Sequence, residues 1–345
     1  MGASVLVAAP LSEKFGYKRL MSGSLLLASM IAIVVAFAPN FLGLLVFRAL
    51  LGVSLAGLPS VAMAYVKKQF HPQDVGEVMG MYISGTSIGG MSGRIITGTL
   101  TSYLSWRPAL FIDGVLSLML TLWFWRNLPQ DRHPSFAATD QSKPIHPLWQ
   151  SLSDRGLMVL YVLPFLLMGS FVTVYNYFGY LLMGPPYYLN QAVIGWVFIV
   201  YLGGTISSTW MGRLTNRVPR IKVLMLGMGL MFTGLGLTMP QALSVKVAGL
   251  AILTFGFFGA HSVASSWVSY RSTYPSHAAS LYLLSYYLGS SVVGTIGGFF
   301  WSDWGWLGVV SLVGVLLISA IGVTLFLPRT RRQFTTGGIS PGERP

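Results

Sequence analysis

Four ionisable side chains of this sequence lie within long apolar stretches: Arg48, Arg94, Asp113 and His261. A charged group in apolar surroundings is costly unless it is paired or binds a ligand. An arginine can bind a carboxylate or a phosphate, and an imidazole can take up or release a proton near neutral pH. These residues therefore indicate sites for an ion pair, an anion or a proton, and the elements that carry them limit the choice.

Those elements are long stretches without charge. No residue between Gly156 and Gly212 is charged, and a run of that length accommodates two helices of about 20 residues, each able to cross a bilayer. Only 9% of all residues are charged and 53% are hydrophobic, whereas roughly a quarter are charged in soluble domains. The sequence therefore predicts an all-α polytopic membrane protein. Further charge-free runs cover residues 20–47, 223–245, 247–270, 272–302 and 304–328, with Arg48 directly after the first of them.

Positive charges are concentrated in alternate loops. The four exceptions among the 22 Lys and Arg residues are Arg107 and Lys246 in the intervening loops, and Arg48 and Arg94 inside predicted helices. Because loops rich in Lys and Arg stay on the cytoplasmic side, we expect the basic loops and the C-terminal tail to be cytoplasmic. The net charge of +13 then reflects membrane topology and not nucleic-acid binding. The basic regions are 14–19, 67–68, 126–155, 213–222, residue 271 and 329–344.

An internal repeat with an offset of about 200 residues divides the chain into two homologous halves. The stretch between the halves is polar and rich in proline, as expected of a linker. The predicted domains are a first helical bundle at 1–127, a cytoplasmic linker at 128–155, a six-helix bundle at 156–328 and a cytoplasmic tail at 329–345. The matching positions are Leu11–Gly16 with Leu214–Pro219, Gly52 with Gly256, Tyr82 with Tyr282, Gly89 with Gly289, and Trp106 with Trp306.

The same offset predicts that the halves are unequal within the given sequence. The second half opens near Gly156, so its counterpart would open about 45 residues before Met1. A duplicated six-helix unit would have twelve helices. We therefore expect about ten complete membrane-spanning helices plus one partial helix, with the first helix and the start of the second missing.

A signature lies in the first basic loop. Residues 9–18 read A-P-L-S-E-K-F-G-Y-K, which is similar to the G-x-L-x-D-R-x-G-R-R motif of the major facilitator superfamily, and residues 212–220 are a degraded second copy. Segments 81–94, 260–267 and 285–291 resemble the YnfM family of bacterial inner-membrane transporters within it. The resemblance implies a secondary transporter whose signature loop acts as a cytoplasmic latch; the alternative is a solvated loop whose charges only set topology. The implied latch residues are Glu13, Lys14, Gly16, Lys18 and Arg217.

Glycines recur on the helix that carries Arg94. The sequence Gly85-x-x-x-Gly89-Gly90-x-x-Gly93 is similar to the G-x-x-x-G-P-x-x-G-G pattern of superfamily antiporters, with Gly90 in place of the proline. Glycines four residues apart share one helix face, so a neighbouring helix can approach that face closely. The motif fits either an antiporter hinge or ordinary close packing.

The charged residues inside the predicted helices allow more specific predictions. We expect an ion pair between Arg94 and Asp113, because the short turn at 102–106 joins their helices and both residues lie roughly 10–15 Å from the outer surface. The alternative is that either side chain extends to the interface. Arg48 resembles the arginine of the superfamily's fourth helix and is a candidate to face the cavity. His261 is a candidate proton carrier or a hydrogen-bonded structural histidine.

The spacing of polar residues indicates a cavity wall. Thr173, Asn176, Tyr177 and Tyr180 are three or four residues apart, so they share one helix face. A polar face should turn away from lipid, and tyrosine and serine suit amphipathic or aromatic molecules better than multivalent ions. The other candidate cavity residues are Ser265, Ser285 and Tyr286.

The acids and histidines form no ligand cluster in the sequence, and no phosphate loop occurs, so we expect no enzyme activity, metal or cofactor. We predict a proton-coupled secondary transporter that exports amphipathic small molecules by alternating access, as a monomer in the bacterial cytoplasmic (inner) membrane. Its partners would be the lipid bilayer, a small-molecule substrate and protons, with no nucleic acid. The alternatives are an importer or facilitator of a sugar or organic anion, and a truncated fragment that does not transport.

Overall fold

The structure, a computed structural model, describes residues 2–71, 74–129 and 152–327. Every regular element within these residues is helical, which confirms the predicted all-α class. A short 3-10 helix, Phe198–Val200, joins α8 to α9. The α-helices are α1 Gly2–Phe15, α2 Tyr17–Val35, α3 Phe41–Leu55, α4 Pro59–Gln69, α5 Val75–Tyr103, α6 Trp106–Asn127, α7 Arg155–Met183, α8 Gln191–Val197, α9 Tyr201–Leu214, α10 Arg220–Leu237, α11 Leu243–Arg271 and α12 Pro275–Leu325.

The polar residues that interrupt the apolar runs start helices. The Asn40 side chain accepts a hydrogen bond from the N–H of Gly43 at 2.8 Å and caps α3. The Asn190 side chain accepts one from the N–H of Val193 at 2.9 Å and caps α8. Because the first N–H groups of a helix have no partner within it, such caps determine where each helix begins.

Seven of the described helical segments are long and apolar enough to cross a membrane. The longest, α12, has 51 residues, and a straight helix of that length would measure about 75 Å against a hydrocarbon core of about 30 Å. It is broken at Gly305, whose φ of 56° and ψ of −139° are not helical. The break coincides with Asp303, where the sequence separates two apolar runs. The count of about ten complete spans and one partial span stays a prediction.

We call α1–α6 the first half and α7–α12 the second; the larger buried apolar cluster of the described residues extends from the second half into α4 and α5 of the first. In the second half α7 packs along α12, and α10 and α9 pack against α11, around buried residues such as Leu163, Phe257 and Val313. In the first half α2 packs against α6 and α3, and a small core contains Met21 and Val61. Most of the predicted linker (130–151) and the predicted tail lie outside the described residues.

The halves meet along α5 with α9, α1 with α12, and α4 with α11 and α12. The helix ends next to the basic loops lie close together. For example, Lys67 at the end of α4 donates a hydrogen bond to the carbonyl of Ser272, after α11, at 2.5 Å. We call this end of the molecule the basic side. The helix α3, which continues α4 away from the basic side, makes no comparable contact with the second half. The halves are therefore closed against each other on the basic side.

Candidate functional site

The contact between α5 and α9 on the basic side depends on glycine. A Cβ atom added to Gly80 would lie 2.6 Å from the carbonyl oxygen of Ser208, and one added to Gly212 would lie 2.6 Å from the carbonyl oxygen of Gly76. Both neighbours are backbone atoms, which cannot rotate away. The two helices therefore approach as closely as they do because Gly76, Gly80 and Gly212 have no side chains.

A polar cluster continues this contact one turn further. The hydroxyl of Ser84 on α5 lies 2.8 Å from the carbonyl of Thr205 and 2.8 Å from the hydroxyls of Ser208 and Thr209 on α9. Ser87 donates a hydrogen bond to the carbonyl of Tyr201 at 2.6 Å. In an apolar environment such short side chains join two helices without placing a charge between them.

At the rim of the same contact, Arg213 at the end of α9 forms an ion pair with Glu77 at the start of α5, with 2.6 Å between Nη2 and Oε1. This ion pair joins the two halves. A second ion pair, Arg271 with Asp154 at 2.9 Å, lies entirely within the second half. Burial acts to raise the pKa of Asp154, but hydrogen bonds from Arg271 and the backbone outweigh it and leave this pKa below its usual range.

Sequence reasoning missed this contact, although its signal is present. Gly76, Gly80 and Ser84 are spaced four residues apart, as are Gly204, Ser208 and Gly212 on the other helix. Two matching stripes of small residues, one from each half, are the pattern that antiparallel helices need for close approach.

The signature loop is only partly described. The side chain of Glu13 lies outside the described residues, so its predicted latch role stays a prediction. Gly16 has a φ of 84°, a left-handed conformation that favours glycine and lets the chain pass from α1 into α2. Lys18 donates a hydrogen bond to the carbonyl of Leu128 at the end of α6, inside the first half. Lys14 lies beside the Phe15 ring and Arg217 is exposed, so the structure does not bring these cations together.

The predicted ion pair between Arg94 and Asp113 is not formed. The guanidinium carbon of Arg94 lies 4.9 Å from the centre of the Phe198 ring and 5.8 Å from that of Tyr201, so Arg94 faces the second half. The charge that acts on Asp113 is instead that of Arg48. The prediction was wrong because a short turn makes two helices neighbours without fixing how each is rotated about its axis.

The glycine motif on α5 also differs from expectation. A Cβ atom added to Gly85, Gly89 or Gly93 would meet no atom within 4 Å, so no described helix approaches that face closely. Gly90 is different, since a Cβ there would lie 3.4 Å from the Tyr201 ring. The predicted close packing is wrong for the first three, and a hinge role for the motif stays a prediction.

His261 is buried inside the second half. Its Nδ1 lies 2.7 Å from the hydroxyl of Tyr282, and its ring stacks on Phe257 with 2° between the planes and lies 5.0 Å from the Tyr286 ring. This is the geometry of a hydrogen-bonded histidine between helices, one of the two alternatives for this residue. Its proton-carrying role stays a prediction.

The predicted cavity residues have different surroundings. Thr173 and Ser265 are fully buried, and Ser265 donates to the carbonyl of Ser262 at 3.0 Å, so these two pack between helices and do not line an open cavity. Asn176 and Tyr180 are exposed. Tyr177 donates to the carbonyl of Gly294 at 2.9 Å and stacks on Trp301. Tyr286 and Ser285, both half-buried, lie on α12.

The aromatic cluster beneath Arg94 was also missed. Phe171 and Tyr175 of α7 contact Tyr201 of α9, with 5.8 and 5.1 Å between ring centres, and Phe171 stacks on Phe257 of α11 at 3.9 Å. Phe171 and Tyr175 are four residues apart and therefore share one helix face. Aromatic residues are so frequent in this chain that this spacing alone does not distinguish them from others. In the described residues no group of three His, Asp or Glu could hold a metal ion.

Apolar helices long enough to cross a membrane and a close contact between α5 and α9 through small residues define a polytopic helical membrane protein. The profile of the Major Facilitator Superfamily matches residues 1–291. The chain therefore belongs to the Major Facilitator Superfamily, as the signature loop predicts.

Two relatives agree with this assignment. The chain is 45% identical over 331 residues to the uncharacterized MFS-type transporter YybF of Bacillus subtilis, covering 96% of this chain and 82% of that protein. It is 42% identical over 330 residues to the inner membrane transport protein YnfM of Escherichia coli, covering 95% and 79%. The predicted resemblance to the YnfM family is thereby confirmed, and both relatives are named as transporters.

Among solved structures, the crystal structure of the human organic anion transporter MFSD10 (TETRAN) is similar, with a TM-score of 0.78 at 16% identity. The match covers 94% of this chain and 80% of that chain. At this identity the likeness shows the fold, and it is the fold that the superfamily assignment predicts.

Proposed function

We propose that this protein is a proton-coupled secondary transporter that exports small amphipathic molecules by alternating access between its two halves. The observation that supports this most is the contact between the halves. It is closed on the basic side by glycine contacts, a few hydroxyls, one ion pair and apolar packing of α4 and α5 against the second half. Since α5 also packs against α6, and α9 against α11, each helix stays attached to its own half when this contact opens.

The orientation in the membrane follows from charge. Loops rich in Lys and Arg remain cytoplasmic, so we place the basic side in the cytoplasm of a bacterium and the protein in its inner membrane. The closed basic side then corresponds to a carrier that is shut towards the cytoplasm. The export direction and the proton as coupling ion rest on the superfamily resemblance, with His261 and its partner Tyr282 as the group that would carry the proton.

A second candidate function is the import of an organic anion. It is favoured by Arg94, which faces aromatic rings and has no acidic partner among the described residues. MFSD10, whose fold is similar, is an organic anion transporter, which is the same class of substrate. The two candidates differ in direction and agree on alternating access.

Flux in inside-out proteoliposomes tests the proposal. With an acidic lumen, we expect uptake of fluorescent amphiphiles that stops when nigericin collapses the pH gradient. Uptake no faster than in protein-free vesicles, for every probe and either gradient, would disprove transport. Accumulation driven only by the opposite gradient would replace export by the import alternative.

Alternating access can be tested by cross-linking introduced cysteines, because the chain contains no cysteine of its own. In the Glu77→Cys/Arg213→Cys double variant, a short thiol-reactive cross-linker should hold the basic side closed and stop flux, and a reducible linker should restore flux after cleavage. The same treatment of an Asp154→Cys/Arg271→Cys variant, in which the linked residues belong to one half, should leave flux intact. Unimpaired flux in the cross-linked first variant would exclude the proposed movement.

A further inference from the structure

Arg94 is an exposed cation on α5 without an acidic partner among the described residues. Its guanidinium lies against Phe198 and Tyr201, and its Nη1 donates to the carbonyl of Gly90 in its own helix at 3.3 Å. No Asp or Glu of the described residues forms an ion pair with it. Because this guanidinium is exposed and its only hydrogen bond within the described residues goes to its own helix, its remaining N–H donors form a potential anion site.

Four tyrosines from both halves lie in the region of this cation. Tyr82 comes from α5, Tyr201 from α9, and Tyr286 and Tyr287 from α12. Tyr201 lies against Arg94, the rings of Tyr286 and Tyr287 are 5.3 Å apart, and Tyr82, Tyr286 and Tyr287 pack against the core that contains Tyr201. These side chains therefore converge on one region between the halves, although they are far apart in the sequence.

The hydroxyls of these four tyrosines form no hydrogen bond to any described residue. Other tyrosines near them do form such bonds: the Tyr175 hydroxyl is 2.6 Å from that of Thr254, and the Tyr282 hydroxyl is 2.7 Å from His261. The four are not among the fully enclosed unpaired atoms either, so they remain accessible to a ligand. Each of these four phenols can therefore donate a hydrogen bond to a ligand.

The walls next to these donors are aromatic. Phe171, Phe198, Phe257 and Phe258 lie with Tyr175 and Tyr201 in a continuous cluster whose ring centres are 3.9–5.8 Å apart. Such rings accept a flat apolar ligand by stacking or edge contacts. The site thus combines one cation, several neutral donors and an apolar wall.

We infer that Arg94 and these tyrosines bind the anionic group of an aromatic monocarboxylate or monosulfonate, with the ring of the ligand against the phenylalanine cluster. One guanidinium matches one negative charge, and phenols donate hydrogen bonds to the same oxygens. A cationic amphiphile would be repelled by Arg94, and an uncharged sugar would gain no charge-assisted hydrogen bond from its guanidinium. The inference rests on the proposed transport, since it names the substrate class for it.

Binding to the purified full chain in detergent tests the site without requiring transport. The probes are 1-naphthoate, its neutral amide 1-naphthamide and the cation 1-naphthylmethylammonium, measured by equilibrium dialysis. We expect naphthoate to bind at least roughly tenfold more tightly than the other two, because a hydrogen bond to a charged group contributes more than one between neutral groups. Equal binding of the three probes would overturn the inference.

Variants locate the site. Arg94→Gln should remove the preference for the anion, Arg94→Lys should keep part of it, and Tyr201→Phe should weaken naphthoate binding a few-fold while the preference remains. Arg107→Gln, at an exposed arginine outside the cluster, is the matched control and should bind like the unmodified protein. Retained preference in Arg94→Gln, or its loss in Arg48→Gln instead, would overturn the assignment to Arg94.

The size-exclusion elution profile and the thermal midpoint of each variant show whether it folds. If Arg94→Gln does not fold, Arg94→Lys tests the site instead. Because Arg94→Lys keeps a charge without the planar fork, binding that is unchanged for all three probes and insensitive to salt would also count against the site. Selective binding without gradient-driven flux would preserve the site and disprove the proposed transport. Gradient-driven flux without selective binding of the anion would support the proposed transport and disprove the site.

Discussion

The two ends of α5 carry the same kind of residue and have opposite surroundings. Near the basic side, Gly80 touches the backbone of α9 so closely that a methyl group would not fit, and a Cβ on Gly76 would lie only 3.2 Å from the carbonyl oxygen of Gly212. Further along, Gly85 and Gly89 have the same spacing and no described atom within 4 Å of where a Cβ would be. Glycine spacing therefore permits close approach without showing that it occurs, and the partner helix decides.

The comparison also separates two tasks. The basic-side end holds the halves together through backbone contact, hydroxyl bonds, a rim ion pair and buried apolar side chains such as that of Met79. The other end of α5 carries Arg94, which forms no ion pair within the described residues. The first region packs protein against protein, whereas the second leaves polar groups that can bind a ligand.

The largest expected effect comes from filling the close contact. Gly80→Leu places a side chain against the carbonyl of Ser208, and overpacking of this kind costs roughly 1–3 kcal/mol. We expect a lower thermal midpoint and a longer distance between spin labels introduced by Gln69→Cys and Asn216→Cys, one in each half on the basic side. Gly89→Leu is the control, since nothing lies within 4 Å of its Cβ, and an equal effect of both substitutions would contradict the packing described.

A smaller effect is expected from the hydroxyl cluster. Ser84→Ala removes the hydrogen bonds to Thr205, Ser208 and Thr209 of the other half, which together should stabilise the contact by about 1 kcal/mol. The matched control is Ser319→Ala, because Ser319 bonds only the carbonyl of Val315 in its own helix. Thermal midpoints should fall for Ser84→Ala and stay nearly constant for Ser319→Ala. The same spin-label distance should lengthen only for the former.

The smallest effect is expected at the rim. The side chains of Glu77 and Arg213 are 33% and 58% exposed, so their ion pair should contribute less than about 1 kcal/mol and weaken with added salt. Glu77→Gln should shift the spin-label distances modestly towards separated halves, and 1 M salt should do the same in the unmodified protein. Asp154→Asn, which breaks the pair within the second half, should leave these distances alone. A shift in Asp154→Asn as large as that in Glu77→Gln would show that the measurement does not report on the contact.

Much of the fold could be predicted because its causes are local. The length of a charge-free run limits which segments can cross a bilayer, and Asn40 and Asn190 cap helices through bonds to residues three positions away. Gly16 has the positive φ that the turn from α1 into α2 requires, a conformation that favours glycine. The signature loop and the repeat also carried the superfamily assignment, since both are patterns in the sequence itself.

The rotation of each helix about its own axis was decided only by the tertiary structure. Arg94 and Asp113 were expected to face each other, but Arg94 turns to Phe198 of the other half, some hundred positions away in the chain. Thr173 and Ser265, expected along a cavity, are buried because α7 and α11 lie inside the second half. Helical periodicity shows which residues share a face, and hydrophobicity alone cannot orient that face when lipid and protein interior are equally apolar. The neighbours of each helix supply the missing information, and they come from the whole chain.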